Sequence, residues 1–357
     1  MKRRTFLASA GTAAAASTLP APAIAQGIRE LKLVSSFPVF PAIRLLADTI
    51  TELSEGRLRV KAFGAGELVG SFEVFDAVSE GVADMYWSSE HYWQDRSAAF
   101  AFFTTVPFGL TPAEAAAWIH LGGGQQLWDE LSANFNLKPF HVGNSSVQMG
   151  GWYKEKISSI KDYEGLRIRI PALGGEVMRR LGAIVVNLPP NDIVPAMKSG
   201  ALDAAEWVGP IDDFGLGFHT AAKNYYYPGF HEPGAVQAFA INKKLWDSLT
   251  SVEQNLIETV LARTAAFDHA DLHVSNMSTL AALLEKHGVQ LHKFDDEILR
   301  TFGKVSGEVV AEVGASDPFT RRVYDSYMKF RRTTILWTDI SQRAYLNARA
   351  LDFPYGN

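Results

Sequence analysis

The chain contains no cysteine among its 357 residues. This absence excludes disulfide bonds, thiolate nucleophiles, zinc–cysteine sites and iron–sulfur clusters. Basic residues are outnumbered, 34 against 39 acidic ones, and the net charge of −5 gives no electrostatic support for binding nucleic acid. Beyond the amino terminus, no apolar run reaches the roughly 20 residues of a membrane span. With 47% apolar and 20% charged residues the composition is that of a globular protein. The length predicts about two domains.

The first 25 residues have the order of a secretory signal peptide. Lys2, Arg3 and Arg4 open the chain, an uncharged Ala-rich stretch follows, and Ala23 and Ala25 are the small residues of a cleavage site. The run that begins at Arg3 also fits a twin-arginine export signal. Cleavage after Ala25 would remove three basic and no acidic residues, which leaves 31 basic against 39 acidic residues and a net charge of −8. The sequence therefore predicts an exported protein.

Strand-like and helical segments alternate twice along the rest of the chain, from residue 31 to 87 and from residue 166 to 208. A strand is predicted over residues 147–153. Further on, the sequence predicts two helices, over residues 251–270 and 274–287, and a long C-terminal helix over residues 317–351. No glycine–serine linker separates the two halves. The prediction is an α/β fold with two lobes joined by structured crossings.

Motifs of the common enzyme classes are missing. Gly64-Ala65-Gly66 lacks the third glycine of a dinucleotide-binding loop, and no glycine-rich loop ends in the lysine of a phosphate-binding loop. No histidine pair has metalloprotease spacing and no serine lies in a nucleophile elbow. Catalysis therefore has little positive support. An exported lyase or hydrolase that uses Glu206 or His231 as its base remains an alternative.

The segment from Leu166 to Pro171 alternates as a strand does, which places Arg167 and Arg169 on one face. One interpretation is an exposed basic face, the commoner situation for arginine. The other is an arginine fork held at a strand end, where it binds a carboxylate through two hydrogen bonds. Arg169 is the better candidate for this second role because it comes directly before Ile170 and Pro171, where the strand stops.

Three further segments carry side chains with oxygen atoms. Glu206 lies within a run of small and apolar residues, where a carboxylate must be ion-paired, hydrogen-bonded or bound to a cation. Glu232 lies on a turn-rich crossing and Gln148 follows a pair of serines; for both, a solvent-exposed side chain is the alternative. Two carboxylates with amide and backbone oxygens suit a hard cation such as Na⁺ or Ca²⁺.

Taken in order and spacing, these segments resemble the TRAP transporter substrate-binding proteins, the DctP-type extracytoplasmic solute receptors. The resemblance covers essentially the whole mature chain and rests on the export signal and four motifs: LKLVSS at 31–36, GVADM at 81–85, YEGLRIRIP at 163–171 and GALDAAE at 200–206. Many members carry asparagine after the glutamate at the position of Glu206. Trp207 stands there instead, which is similar to the branch that binds 2-oxo acids and lactate.

The resemblance implies a periplasmic α/β receptor with mixed sheets and hinge crossings, whose two lobes close on a ligand. One lobe would comprise residues 29–147 and 235–275, and the other residues 148–234 and 276–315. Residues 316–357 would form a long C-terminal helix. Some members of the 2-oxo acid branch dimerise through an extended C-terminal helix, so this segment is a candidate dimerisation element.

The resemblance also assigns the site. The arginine at the position of Arg169 clamps the substrate carboxylate in this family. A cation would bridge protein and substrate, and its ligands would be the Gln148 side chain, the Glu206 carboxylate, the Trp207 backbone carbonyl and the Glu232 carboxylate. Phe37 and Tyr92, chosen from their position alone, would form a hydrophobic cap, with core packing as the alternative. The substrate-contacting set is then Arg169, Gln148, Tyr92, Phe37 and Trp207.

The sequence thus predicts a receptor, not an enzyme, that binds a small 2-oxo or 2-hydroxy monocarboxylate of the pyruvate, 2-oxobutyrate or lactate type and delivers it to the TRAP membrane permease. A receptor for C4-dicarboxylates or sugar acids is the alternative within the family, although Trp207 argues for a smaller and more apolar ligand. The ion is left open. Ca²⁺ balances the charges of Arg169, two glutamates and the ligand, whereas the resemblance to 2-oxo acid receptors favours Na⁺.

Overall fold

The computed structural model of the protein describes residues 27–353. The predicted leader, residues 1–25, lies outside the described residues, as do the last four residues of the predicted C-terminal helix. The strands of the described part are β1 Arg29–Ser35, β2 Leu58–Phe63, β3 Met85–Ser88, β4 Leu137–Asn144, β5 Gly151–Tyr153, β6 Arg167–Arg169, β7 Ile184–Val186, β8 Ala204–Ala205, β9 Asn224–Tyr227, β10 Val236–Asn242 and β11 Gln290–Lys293.

The strands form two mixed sheets, and each is the centre of one lobe. Lobe I is built on a five-stranded sheet in the order β2-β1-β3-β10-β4, in which β1 is parallel to β2 and β3 while β10 is antiparallel to both of its neighbours. Lobe II is built on a six-stranded sheet in the order β11-β9-β5-β8-β6-β7. In it, β6 is parallel to β7 and β8, whereas β5 is antiparallel to β8 and β9. The predicted α/β class with mixed sheets is confirmed.

Helices cover both sheets, and several begin where the sequence provides a cap. They are α1 Pro41–Leu53, α2 Val74–Ser79, α3 Phe100–Thr104, α4 Pro112–Leu121, α5 Gly124–Ala133, α6 Ala172–Arg180, α7 Pro190–Ser199, α8 Pro210–Leu216, α9 Lys243–Ser248, α10 Ser251–Lys286, α11 Asp296–Val313, α12 Pro318–Thr338 and α13 Ala344–Arg349. Thr111 and Glu114 form a capping box at the start of α4, and the Asp317 side chain caps α12. Across the described residues, no helix is both long enough and apolar enough to cross a membrane.

A single helix, α10, replaces the two helices predicted over 251–270 and 274–287. It runs for 36 residues and contains neither glycine nor proline, so nothing in its backbone chemistry interrupts it. The apparent break came from a lapse in apolar spacing around residues 268–273, where most of the side chains are exposed. Because α10 packs on α1 and β4 of lobe I and on α8 of lobe II, it bridges the two lobes.

The strand predicted over residues 147–153 is too long, because β5 begins only at Gly151. Residues 145–150 instead cross irregularly from β4 to β5, and Ser146 has a φ of +60°. A second crossing, residues 228–235, returns from β9 to β10. The backbone N–H of Gly229 donates to the Gln148 carbonyl at 2.9 Å, so the two crossings lie side by side between the sheets.

The C-terminal helix is present, but it is not uniform. α12 packs on α3, α4 and α5 of lobe I, where the Tyr327 hydroxyl accepts a hydrogen bond from the Leu110 N–H at 2.9 Å. A π-helical turn, Asp339–Arg343, then links α12 to α13. From residue 342 to residue 353 every described residue is exposed, so this end of the helix adds nothing to the core of lobe I.

Candidate functional site

The candidate site lies between the lobes, at strand ends and on the two crossings. Arg169 is the last residue of β6, and Glu206 directly follows β8. The crossings carry Gln148 on one side and Glu232 on the other. Lobe I contributes Phe37, two residues after the end of β1, together with the 3-10 turn Glu90–Trp93 that follows β3. Ligands of α/β proteins commonly bind in such a crevice outside the carboxyl ends of strands.

Arg169 and Glu206 form an ion pair at the centre of the site, and each residue is only 1% exposed. The parallel pairing of β6 with β8 sets their proximity, because the Glu206 N–H donates to the Arg169 carbonyl at 3.0 Å. Arg169 Nη1 donates to the Glu206 carboxylate and, at 3.0 Å, to the Glu206 backbone carbonyl. Nη2 of the same guanidinium is buried and has no hydrogen-bond partner. Glu206 therefore occupies Nη1 of the guanidinium, and Nη2 is available to donate a hydrogen bond to a ligand.

His231 supports Glu206 from its other side. Its Nε2 lies 2.8 Å from Glu206 Oε2, and its Nδ1 is buried without a partner. Burial lowers the pKa of His231, but the neighbouring Glu206 carboxylate outweighs this and the net shift is upward. A Cβ at Gly174, in the first turn of α6, would lie 2.7 Å from the His231 Cβ. The imidazole reaches Glu206 because this position of α6 has no side chain.

Gln148 and Glu232 form a second buried pair. The Gln148 Nε2 donates to Glu232 Oε2 at 2.7 Å, and the backbone N–H of Gln148 donates to the Glu232 carbonyl at 3.3 Å. Gln148 Oε1 and Glu232 Oε1 are both buried and without a hydrogen-bond partner. Burial, together with the negative charge of Glu206, raises the pKa of Glu232 to about 7. This pair thus presents two acceptor oxygens that none of the described residues satisfies.

His91 faces this second pair from lobe I. It is 5% exposed, neither ring nitrogen has a hydrogen-bond partner, and Nδ1 lies 3.7 Å from Glu232 Oε1. Burial, with the positive charges of Arg169 and His231, lowers the pKa of His91 to about 3. The ring is therefore neutral in this surrounding, with one nitrogen able to donate and the other able to accept.

Aromatic side chains close the remaining side. The Trp207 ring lies 5.1 Å from the Arg169 guanidinium carbon, a cation–π contact, and Phe37 packs edge-on against Trp207 at 6.0 Å. Tyr92 packs on Phe37 at 6.4 Å. Burial raises the pKa of Tyr92 to about 12, against the opposing effect of the Arg169 charge. Arg169 and its neighbours thus lie against an apolar wall that comes from both lobes.

The structure brings together the residues that the sequence assigned to the site: Phe37, Tyr92, Gln148, Arg169, Glu206, Trp207 and Glu232. Gln148 and Glu232 are buried, so the alternative of solvent-exposed side chains does not hold for either. The interpretation of the strand arginines as an exposed basic face describes Arg167 only, which pairs with Asp203 at the surface. His91 was missed. The signal that could have found it is its place directly before Tyr92, at the carboxyl end of β3.

The donor set fits a hard cation. Gln148 Oε1 and Glu232 Oε1 are orphaned oxygens, and Glu206 adds a second carboxylate. Among residues 27–353, no group of three or more His, Asp or Glu side chains is placed to hold a metal ion. A cation here would therefore rely on amide and backbone oxygens as well as carboxylates, which is ordinary for Na⁺ or Ca²⁺ and unlike a transition-metal centre.

Known proteins are similar to this chain in sequence and in fold. Residues 32–317 match the family model DctP, described as bacterial extracellular solute-binding protein, family 7. A monocarboxylate 2-oxoacid-binding periplasmic protein from Nostoc sp. (strain PCC 7120) is 35% identical, over 97% of this chain and 98% of its own length.

Two solved structures are similar to this protein in their three-dimensional fold. A TRAP transporter solute-binding protein from Bordetella bronchiseptica, a mixed-occupancy dimer with a calcium- and picolinate-bound active site and an apo site, has a TM-score of 0.88 at 32% identity, covering 90% of this chain and 97% of its own. A TRAP periplasmic solute-binding protein from Pseudoalteromonas atlantica with bound sodium and pyruvate has a TM-score of 0.86 at 32% identity, covering 91% of this chain and 100% of its own. The chain therefore belongs to the family 7, or DctP, bacterial extracellular solute-binding proteins of TRAP transporters.

Proposed function

We propose that this protein is the periplasmic receptor of a TRAP transporter for a small 2-oxo or 2-hydroxy monocarboxylate, with pyruvate as the reference ligand. The observation that carries the proposal is a set of unsatisfied buried groups: Arg169 Nη2, Gln148 Oε1 and Glu232 Oε1 are all buried and have no hydrogen-bond partner among the described residues. A ligand that offers a carboxylate to the arginine and reaches the glutamate side through a cation satisfies all three. The relatives that bind 2-oxo acids, picolinate or pyruvate support this ligand class.

Arg169 would bind the ligand carboxylate. Its Nη2 is available in the present arrangement, whereas Nη1 is held by Glu206. A bidentate contact therefore requires a second nitrogen: either Nη1 exchanges its bond to Glu206, or Nε exchanges its 3.4 Å bond to the Leu188 carbonyl, for one to the ligand. The Trp207 ring against the guanidinium keeps water from that face, which strengthens a charge-assisted hydrogen bond.

Gln148, Glu206, Glu232 and the Trp207 carbonyl would hold a cation. When bound, the ion supplies positive charge that offsets the glutamates and binds ligand oxygens. Of these residues, Glu232 presents an oxygen that no donor occupies, and Gln148 presents its amide oxygen alongside it. The sodium-bound and calcium-bound relatives leave both ions as candidates. The charge argument for Ca²⁺ weakens if His231 is protonated, because Na⁺ then balances the site.

We also propose that the protein returns its ligand unchanged, is exported by the predicted twin-arginine leader to the periplasm, and delivers the ligand to the membrane permease. Membership of a transport family supports a receptor over an enzyme.

Glu206 is paired with both Arg169 and His231, so the base of the alternative lyase or hydrolase is already engaged. Mass spectrometry of pyruvate after incubation with the protein distinguishes the two: a receptor leaves its mass unchanged and an enzyme converts it.

Calorimetric titration of the mature protein with pyruvate, L-lactate and a C4-dicarboxylate tests the ligand class. We expect binding of pyruvate, its loss after chelation and dialysis against sodium-free buffer, and recovery on adding Na⁺ or Ca²⁺. Binding of the C4-dicarboxylate alone would overturn the proposed ligand class. Binding of pyruvate that is indifferent to both ions would overturn the cation.

Arg169→Ala is expected to abolish pyruvate binding, because the carboxylate loses its charge partner in a desolvated site. Arg167→Ala is the matched control, since Arg167 lies two residues away in β6 and pairs with Asp203 at the surface. We expect it to bind as the wild type does. Thermal unfolding of both variants checks the fold, and wild-type affinity in a folded Arg169→Ala protein would remove the arginine from the site.

We further propose that the protein forms a homodimer through the end of its C-terminal helix. α12 is anchored to lobe I through Tyr327, but large apolar side chains near its end remain exposed, with Trp337 at 67% and Ile340 at 73%. Others in the same stretch are Leu336, Tyr345, Leu346 and Leu351. An exposed apolar surface of this kind marks an interaction site, and the Bordetella relative is a dimer.

A further inference from the structure

His91 is a buried polar residue of the site whose two ring nitrogens make no hydrogen bond to any residue between 27 and 353. Both of its ring nitrogens are buried and without partners, whereas His231 uses Nε2 to hold Glu206. Other buried histidines in the described part differ: Nδ1 of His141 lies 3.2 Å from Nε2 of His120. Buried polar groups are as a rule satisfied, so an imidazole with two free nitrogens beside a ligand site indicates a contact completed by the ligand.

His91 also comes from the opposite lobe. Arg169 and Glu206 lie at strand ends of lobe II, and Gln148 and Glu232 lie on the crossings. His91 belongs to the turn that follows β3 in lobe I, and its ring packs edge-on against Tyr92 at 4.5 Å. Among the residues placed around the site, it is the histidine through which lobe I faces Glu232.

The position of His91 indicates which ligand atom it meets. Its Nδ1 lies 3.7 Å from Glu232 Oε1, a buried oxygen that accepts no hydrogen bond from the described residues. In the proposed function the ligand carboxylate pairs with Arg169 and the cation that binds the other ligand oxygens is held by Glu232, so the 2-oxo oxygen would lie near this carboxylate and near His91. We propose that His91 donates a hydrogen bond to the 2-oxo oxygen of the ligand, and so is the specificity contact of lobe I. This inference rests on the proposed function and extends it to a residue that neither the sequence nor the family motifs assigned.

The test is calorimetric titration of pyruvate into the wild type and two variants. His91→Phe keeps the ring shape and removes the donor, and we expect it to weaken pyruvate binding about tenfold, the effect of losing one hydrogen bond. His91→Asn places an amide donor near the position of Nδ1, and we expect it to restore most of the affinity. His141→Phe, in lobe I and outside the site, is the matched control and should bind as the wild type does.

The cation dependence of pyruvate binding separates a ligand contact from a metal ligand. We expect His91→Phe to need the same cation concentration for half-maximal pyruvate binding as the wild type. A shift as large as the loss of pyruvate affinity would make His91 a cation ligand and overturn the proposal. Equal affinity of His91→Phe and wild type, or equal loss in the Phe and Asn variants, would also overturn it. Failure of the wild type to bind pyruvate would instead refute the proposed function.

Discussion

At the scale of single residues, one buried carboxyl group fixes the segment through which lobe I reaches the site. Glu90 is fully buried, and it accepts hydrogen bonds from the Tyr86 hydroxyl at 2.5 Å and the Trp128 indole at 2.6 Å. It comes directly before His91 and Tyr92, whose side chains face the ligand site. Burial raises the pKa of Glu90 to about 7, against the opposing effect of its two donors. The anchor of this turn is therefore a group whose charge depends on pH.

Glu90→Gln is expected to change how stability depends on pH. Between about pH 4.5 and pH 7 the folded wild type keeps a proton on Glu90 that the unfolded chain has lost, so its free energy of unfolding falls as pH rises through this window. Glutamine does not titrate. The stability of the wild type relative to the variant should thus fall by about 3 kcal/mol across the window. Urea unfolding of both proteins at pH 5 and pH 7.5 measures it.

Substitution of an exposed glutamate provides the control for that measurement. Glu285→Gln lies near the end of α10, where the side chain is exposed. Its unfolding profile should follow that of the wild type at both pH values. If the profile of Glu90→Gln also ran parallel to that of the wild type, the burial of a protonated Glu90 would be wrong.

At the scale of elements, the close approach of α6 to the crossing that carries His231 and Glu232 sets the shape of the site. The first turn of α6 follows directly after Arg169 and passes His231 at Gly174, where a Cβ would lie 2.7 Å from the His231 Cβ. Both atoms of that contact are near the backbone, so neither can rotate away. The distance between α6 and the crossing therefore depends on this glycine.

Gly174→Ala is expected to push His231 away from Glu206 and so to weaken pyruvate binding by about tenfold or more, because Glu206 then loses a charge-assisted hydrogen bond worth about 1.5–3 kcal/mol. Gly307→Ala in α11 is the matched control, since a Cβ there meets nothing within 4 Å. It should leave binding unchanged and raise stability by up to about 1 kcal/mol through the better helix propensity of alanine. Wild-type affinity in Gly174→Ala would show that the position of His231 does not matter.

The same scale shows what the sequence could and could not predict. Alternating spacing located β6 closely: the strand Arg167–Arg169 lies within the predicted segment from Leu166 to Pro171. The spacing failed within α10, since a helix that bridges two lobes changes its buried face along its length. Burial of Gln148 and Glu232 was not predictable from their own segments, because the covering residues come from the other crossing and from lobe I. The same holds for His91, whose role depends on a residue more than a hundred positions away.

Arg167 and Arg169 show most directly what the residue pattern of a strand cannot predict. Alternation correctly predicted that both belong to one strand, but only Arg169 is buried, while Arg167 reaches the surface and pairs with Asp203. The difference arises because the crossings and lobe I cover one end of β6 and not the other. Residue pattern gives the face of a strand, and only the assembled lobes decide how much of that face is enclosed.

At the scale of the whole molecule, the apolar cores extend across both lobes. Each of the two apolar cores contains residues of both sheets; Trp87 of β3 and Trp152 of β5 belong to the same core. Arg169 and Glu206 are almost completely enclosed, so a ligand can enter only when the lobes separate. We infer that opening and closing accompany ligand binding, and α10, which packs on both lobes, is the element that would accommodate the movement.

Assembly is the last property that belongs to the whole molecule. Double substitution Trp337→Glu and Ile340→Glu should convert the proposed dimer to a monomer, because it places charge on two exposed apolar side chains, one in the last turn of α12 and one in the π-helical turn after it, without touching the lobe I contacts of Tyr327. Sedimentation equilibrium of the mature protein measures the mass. Asn255→Glu, at an exposed polar position in α10 outside that stretch, is the control and should stay dimeric. A monomeric wild type at high protein concentration would refute the dimer, whereas pyruvate binding by the monomeric variant would show that each chain carries a complete site.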